Sequence, residues 1–263
     1  MRGRVLVVAG SDSGGGAGIQ ADIKAITVLG GFAMTAVTAL TAQNTLGVHG
    51  VHPVPLDFVQ LQIACVLDDI GADAIKTGML GDAATIATVV AALSARAAGV
   101  PWVVDPVMVA KGGHSLLATE AVAYLRERLV PRAAVLTPNI PEAEALCGHP
   151  IQDAAAMRQA AVALRGLGAT AVLLKGGHLA GDALVDVLAT ADGITEFHGE
   201  RIATRHTHGT GCTLASAIAA GLAQGMTLHD AVARARGYVL AAIRGAPGFG
   251  AGHGPLNHSV AFD

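Results

Sequence analysis

The segment His206-Thr207-His208-Gly209-Thr210-Gly211-Cys212-Thr213 gathers hydroxyls, a thiol and two glycines just before the alanine-rich run Leu214–Ala223, which reads as a helix. A loop that opens a helix presents unpaired backbone N–H groups and the positive end of the helix dipole, so an anion is its natural guest. Gly209 and Gly211 clear space for close approach, Thr210 and Thr213 add hydroxyl donors, and Cys212 lies where that field is expected to favour thiolate. Phosphate is the anion this suggests, and phosphoryl transfer the chemistry. A plain tight turn ahead of a helix is the competing reading. Zinc is disfavoured, because His206-x-His208-x3-Cys212 has no fourth ligand nearby.

Other polar and glycine positions follow apolar runs. Gly10-Ser11-Asp12-Ser13-Gly14-Gly15-Gly16 follows Val5–Ala9, Gln43-Asn44 follows Ala33–Leu40, and Thr77-Gly78-Met79 follows Ala72–Lys76. Asp105-Pro106 ends Trp102–Asp105, Pro138-Asn139 follows Ala134–Thr137, and Gly176-Gly177 follows Ala171–Lys175. In an open parallel sheet ligands bind beyond the carboxyl ends of the strands, so these positions are expected to converge on one crevice. The glycine loop Gly14–Gly18 matches neither the G-x-G-x-x-G nor the P-loop pattern, which leaves a ligand-approach loop or a simple turn. Asp22 lies one helical turn beyond it, facing a polar substrate or solvent.

Each of these residues has two readings. Asp105 with Asn139 and Glu142 suits a Mg²⁺ shell shared with phosphate oxygens; Asn139 and Glu142 equally suit a helix start with Pro141 in its first turn. Lys175 is a phosphate-binding point charge or a snorkelling surface lysine. Gln43 pairs in two directions with a heteroaromatic ring carrying adjacent donor and acceptor atoms, or caps a turn.

The elements that must hold these groups alternate. Helices are expected near Ile19–Leu29, Phe58–Asp69, Ala83–Ala97, Thr119–Leu129, Asp153–Leu167, Thr213–Ala223 and Leu228–Arg244, between the strand runs above. The rhythm predicts an α/β fold of βαβ units around a mainly parallel sheet. A hairpin turning at Ala191-Asp192-Gly193 would make that sheet mixed at one side. Lys-Gly-Gly-His occurs at 111–114 and at 175–178 without alignable flanks, so no internal repeat is read.

With 263 residues, 52% hydrophobic and 14% charged, the chain can bury a large core, and 3% aromatics imply closely packed small side chains. A net charge of −3 offers no basic face for nucleic acid, and no apolar run reaches the length of a membrane span. Cytoplasmic residence is the expectation, with Cys65 and Cys147 buried in helices.

Taken together, the runs Ala9–Asp22, Thr38–Thr45, Lys76–Leu80, Asp105–Met108, Leu136–Asn139, Lys175–His178 and Thr207–Thr213 resemble the hydroxymethylpyrimidine and hydroxymethylpyrimidine phosphate kinases of thiamine biosynthesis, nearly end to end. The resemblance implies a ribokinase-like kinase domain over 1–263 with three layers, α/β/α, using ATP and Mg²⁺, and a homodimer. It implies that Gln43 reads the aminopyrimidine edge, with Gly10, Asp22, Met79 and Val107 around it. Gly209, Thr210 and Gly211 would form the anion hole, and Cys212 would be the base where most ribokinase-like kinases have aspartate. Asp105 and Glu142 would serve the metal, and Asn139, Lys175 and Thr207 would serve ATP. The rivals are a pyridoxal kinase of the same superfamily and a non-catalytic pyrimidine-binding protein. The glycine-rich stretch Ala246–Gly252 is expected to be mobile near the pocket.

Overall fold

In a computed structural model, described for residues 2–108, 116–117, 119–177 and 183–262, the strand runs form one nine-stranded sheet. The strands are β1 (Arg4–Asp12), β2 (Phe32–Asn44), β3 (Gly47–Pro53), β4 (Ala74–Thr77), β5 (Trp102–Val104), β6 (Val135–Leu136), β7 (Val172–Leu174), β8 (Ala183–Thr190) and β9 (Gly193–Glu200). Their order is β3-β2-β1-β4-β5-β6-β7-β8-β9. The strands from β2 to β7 pair in parallel, whereas β3 and the β8–β9 hairpin pair antiparallel.

The sheet is therefore mixed at both sides, not one. The extra edge strand, β3, carries almost no buried residue, so it lacks the apolar alternation by which a strand is read from sequence. Its residues pair instead through the backbone, Ala39 with Pro53 out to Asn44 with Gly47.

Helices cover both faces: α1 (Gly18–Val28), α2 (Leu56–Asp69), α3 (Ala83–Arg96), α4 (Thr119–Tyr124), α5 (Ile140–Cys147), α6 (Ala154–Arg165), α7 (Thr210–Ala223) and α8 (Leu228–Arg244). The period-two alternation of the strands divides the core in two. Leu6, Val8, Ile75 and Val104 pack with Ile63, Val89 and Leu164, under α2, α3 and α6. Val5, Val7, Val103 and Leu173 pack with Ile26, Ile218 and Val239, under α1, α7 and α8. Three layers, α/β/α, result. The small residues of α7 let it sit close to its neighbours; a Cβ on Gly221 would stand 2.7 Å from the Ala231 Cβ of α8.

The helix expected over 119–129 changes register after Tyr124 into a π turn, Leu125–Leu129, and a 3₁₀ turn, Val130–Arg132, where Pro131 has no N–H to continue the ladder. Helix α5 shows in the sequence only as a possible start. Asn139 and Glu142 close a capping box there, and Gly148 at φ 80° ends the helix after two turns. Cys65 is exposed, contrary to expectation, because it lies on the outer face of α2, whose buried residues are Val59 and Ile63; Cys147 is half-buried. The first Lys-Gly-Gly-His and His178 of the second lie outside the described residues.

The C-terminal segment packs across the start of α7. His258 is buried, lies 2.9 Å from Thr213 Oγ1, and its carbonyl accepts the Tyr238 hydroxyl at 2.8 Å. Burial, helped by the Lys24 charge, depresses its imidazole to about 4 from 6.5. Between those values the unfolded chain binds the proton and the folded one does not. Stability present above pH 6.5 is thus lost as the pH falls towards 4, by about 3 kcal/mol. Urea titrations over this range should show a flatter acid limb in His258→Gln. Two hydrogen bonds tie the end of the glycine-rich stretch to Thr45, whose carbonyl accepts the His253 N–H at 2.8 Å and whose hydroxyl faces Gly252 N at 3.3 Å, while Phe249 stands exposed.

Candidate active site

Strand ends and helix starts enclose a cavity of about 900 Å³ at the carboxyl side of the parallel strands. Gly10, Gln43, Met79, Asp105 and Val107 line it from the strand exits, and Asn139, Glu142 and Lys175 from the next connections. Thr207 and Gly209-Thr210-Gly211-Cys212 close it from the start of α7. A Cβ on Gly10 would stand 2.6 Å from Met79 Cε, so the glycine lets this methionine lie across the floor.

Gly209 caps α7 at φ 83° without a side-chain cap, and a Cβ there would fall 1.8 Å from the Gly16 carbonyl oxygen. The Thr210 hydroxyl donates to the Thr207 carbonyl at 2.7 Å, which folds the loop back on itself. The helix start leaves Gly211 and Cys212 N–H without an intrahelical carbonyl, aimed where an anion would sit.

Cys212 departs from the thiolate expected of that field. Burial pushes its thiol up to about 11, the Asp22 and Asp105 carboxylates push the same way, and the Lys76 ammonium and the Gly18 N–H only partly oppose them. At neutral pH the group is a thiol.

Beside the start of α7, Lys175 Nζ stands 3.2 Å from Asp105 Oδ1, which also faces the Thr137 hydroxyl at 3.2 Å. Glu142 accepts the Asn139 N–H at 2.8 Å while Asn139 Oδ1 accepts the Glu142 N–H at 2.9 Å. Asn139 is thereby committed to the cap through its oxygen, which leaves its amide nitrogen to offer a ligand. Burial lifts Glu142 to about 7, opposed by the Lys175 charge and reinforced by Asp105. Among the described residues no three His, Cys, Asp or Glu side chains gather into a metal cage. Two carboxylates beside a lysine do suit Mg²⁺, which takes one or two carboxylates plus phosphate oxygens.

Asp22 lies beneath the cavity instead of on its wall or in solvent. It is fully buried, with Lys76 Nζ 3.0 Å from each of its oxygens and the Ser216 hydroxyl donating at 2.6 Å. Helix α1 turns this residue inward onto β4 and α7, a placement that its spacing from the glycine loop does not reveal. Lys76→Met would strand the carboxylate and should lower unfolding stability in urea by about 3–5 kcal/mol, most of it recovered in Asp22→Asn/Lys76→Met.

Several polar groups of the site carry no distinct mark in the sequence. Asp12 collects the glycine loop through Gly14, Gly16 and Ala17 N–H, and His208 lies against it at 2.9 Å. Asp186 on β8 accepts the Gly176 N–H at 2.8 Å and the Arg236 Nε–H at 2.7 Å. The partners of Asp186 are far apart in the chain, so no local pattern marks it. Asp12 lies inside a motif dominated by its glycines.

A family model for phosphomethylpyrimidine kinase matches residues 12–257, on which all but Gly10 of these cavity positions fall. The chain belongs to that family. It is 47% identical over 256 residues to the hydroxymethylpyrimidine/phosphomethylpyrimidine kinase of Bacillus subtilis, covering 97% of this chain and 94% of that one. It is 55% identical over 260 residues to the thiamine biosynthesis bifunctional protein ThiED of Geobacter sulfurreducens, covering 99% of this chain but 53% of that protein. Among solved structures, an ADP complex of Bacillus subtilis pyridoxal kinase superposes with a TM-score of 0.91 at 37% identity, covering 98% of each chain. The family's kinases are phosphotransferases of ribokinase-like fold, which agrees with the three layers and the expected chemistry. Among the described residues no helix is long and apolar enough to cross a membrane.

Proposed function

We propose that this chain transfers phosphate from ATP to the hydroxymethyl group of 4-amino-5-hydroxymethyl-2-methylpyrimidine, and then a second phosphate to the monophosphate, for thiamine biosynthesis. The observation that carries this reading is the single cavity that joins Gln43 and Met79 to the helix start at Gly209–Cys212 and to Lys175. An acceptor ring and a donor phosphate can meet there with the anion hole between them. The ADP complex of the pyridoxal kinase supports ATP as the donor.

The residues present fit the nucleotide and its metal. Asp105 and Glu142 would hold Mg²⁺, which when bound neutralises charge on the phosphate oxygens. A Cβ on Gly211 would stand 3.3 Å from Lys175 Nζ, so the glycine keeps open a cradle beside that charge. Lys175 draws the nucleotide phosphates, and Gly211 and Cys212 N–H receive the charge that develops on the transferring group. Gln43 orients the ring so that its hydroxymethyl oxygen faces this site. The thiolate form of Cys212, a small fraction at neutral pH, takes the alcohol proton as the oxygen attacks.

Consumption of ATP should require both the pyrimidine alcohol and a divalent cation, and stop on chelation; binding of the pyrimidine without turnover would support a non-catalytic pyrimidine-binding protein instead. The same reading makes residues 1–263 one kinase domain, cytoplasmic and homodimeric. A second copy suits the exposed Leu46, Phe58 and Leu61 around β3 and α2, and light scattering at twice the chain mass is the expected result.

A further inference from the structure

Asp12 is 2% exposed and receives four donors: Gly14 N–H at 2.8 Å, Gly16 N–H at 3.1 Å, Ala17 N–H at 2.8 Å, and His208 Nε2 at 2.9 Å. Burial alone would raise its pKa, but the hydrogen bonds from His208, Ala17 and Gly14 hold it below the usual carboxylate range. An ionised carboxylate only accepts, so His208 Nε2 must carry the proton.

That proton decides the orientation of Gln43, whose amide lies 3.2 Å from the same Nε2. With the amide nitrogen on the His208 side, two donors would face one another. With the amide turned by 180° about its last bond, its oxygen shares the Nε2–H with Asp12 and its nitrogen faces Thr41 Oγ1, 3.3 Å away. Thr41 has one hydroxyl proton, committed to the Ser11 carbonyl at 2.8 Å, and its lone pair is free to accept. Each contact along Thr41, Gln43, His208 and Asp12 then pairs a donor with an acceptor, and the second N–H of the Gln43 amide is left to a ligand. The two loops that carry the chain are in direct contact, since a Cβ on Gly16 would stand 2.6 Å from His208 Cδ2.

We propose that Asp12 and His208 are positioning residues that lock the Gln43 amide with its oxygen towards His208 and its nitrogen towards Thr41. Gln43 then offers the bound ring an acceptor and a donor in one fixed order, which selects a heteroaromatic acceptor with a ring nitrogen beside an exocyclic amine. The selection rests on the pyrimidine-kinase reading; the orientation does not.

Two measurements separate these parts. In isotope-labelled protein without ligand, the Gln43 amide protons, identified by their loss in Gln43→Glu, should show a nuclear Overhauser contact to the Thr41 methyl and none to the His208 ring protons. The reverse pattern would overturn the orientation, whatever the protein phosphorylates. In kinetics, His208→Leu should raise the KM for the pyrimidine alcohol about tenfold, with the KM for ATP unchanged, and erode the preference over pyridoxal by a similar factor, as loss of one oriented hydrogen bond requires. His208→Gln, which keeps a donor towards Asp12, should restore most of it. Thr41→Val should reproduce the KM effect if His208→Leu fails to fold. Equal losses towards both acceptors, or an unchanged KM, would overturn the selection.

Discussion

Cys212→Ala should cut phosphorylation of the pyrimidine alcohol by about 10²-fold or more, the ordinary weight of a general base, while that of the monophosphate falls less than about tenfold. The difference lies in the acceptor. An alcohol oxygen must lose a proton as it attacks, whereas a phosphomonoester, with a second pKa of about 6, already presents an anionic oxygen at neutral pH. Because the Cys212 thiol is pushed up to about 11, its base form is scarce at pH 7 and grows with each unit of pH below that value. The alcohol rate of the unaltered protein should therefore climb towards alkaline pH, and the slope should vanish in Cys212→Ala. Rates on both acceptors measured from pH 7 to 10 check this. Equal losses on the two acceptors would make Cys212 a packing or anion-hole element and not the base.

Gly211→Ala should leave the fold intact and reduce turnover on both acceptors by about 10²-fold, the range seen when one oxyanion contact is lost. Its Cβ would meet Lys175 Nζ at 3.3 Å and Asp105 Oδ2 at 3.8 Å, occupying the cradle without touching backbone. Gly209→Ala is the contrast. There the new atom would overlap the Gly16 carbonyl at 1.8 Å and φ is 83°, so the loop must move and thermal stability should fall with activity. Melting curves beside steady-state rates distinguish the two. A Gly211→Ala protein with full turnover would remove this helix start from the transfer site.

Much of the frame could be read from spacing. The apolar runs of β1 and β5 and the amphipathic stretches of α6 and α8 carry their periods openly, and the polar positions after each strand converge on one cavity as an open parallel sheet requires. What stayed hidden depends on three dimensions. Strand β3 has no buried face to mark it, and α5 is too short for a period and shows only its cap. Asp22 gave no sign that it would turn inward to Lys76, because its partners come from β4 and α7. The field at the start of α7 argued for a thiolate at Cys212, but burial outweighs it, and burial is a property of the packed loop rather than of the motif.

Two successive phosphorylations of the pyrimidine are tested by product analysis with mass spectrometry, using ATP and Mg²⁺ and offering the pyrimidine alcohol, its monophosphate and pyridoxal as separate acceptors. Monophosphate is expected from the alcohol and pyrophosphate from the monophosphate, with pyridoxal the poorer acceptor. Phosphorylation of pyridoxal alone would contradict this and make the chain a pyridoxal kinase.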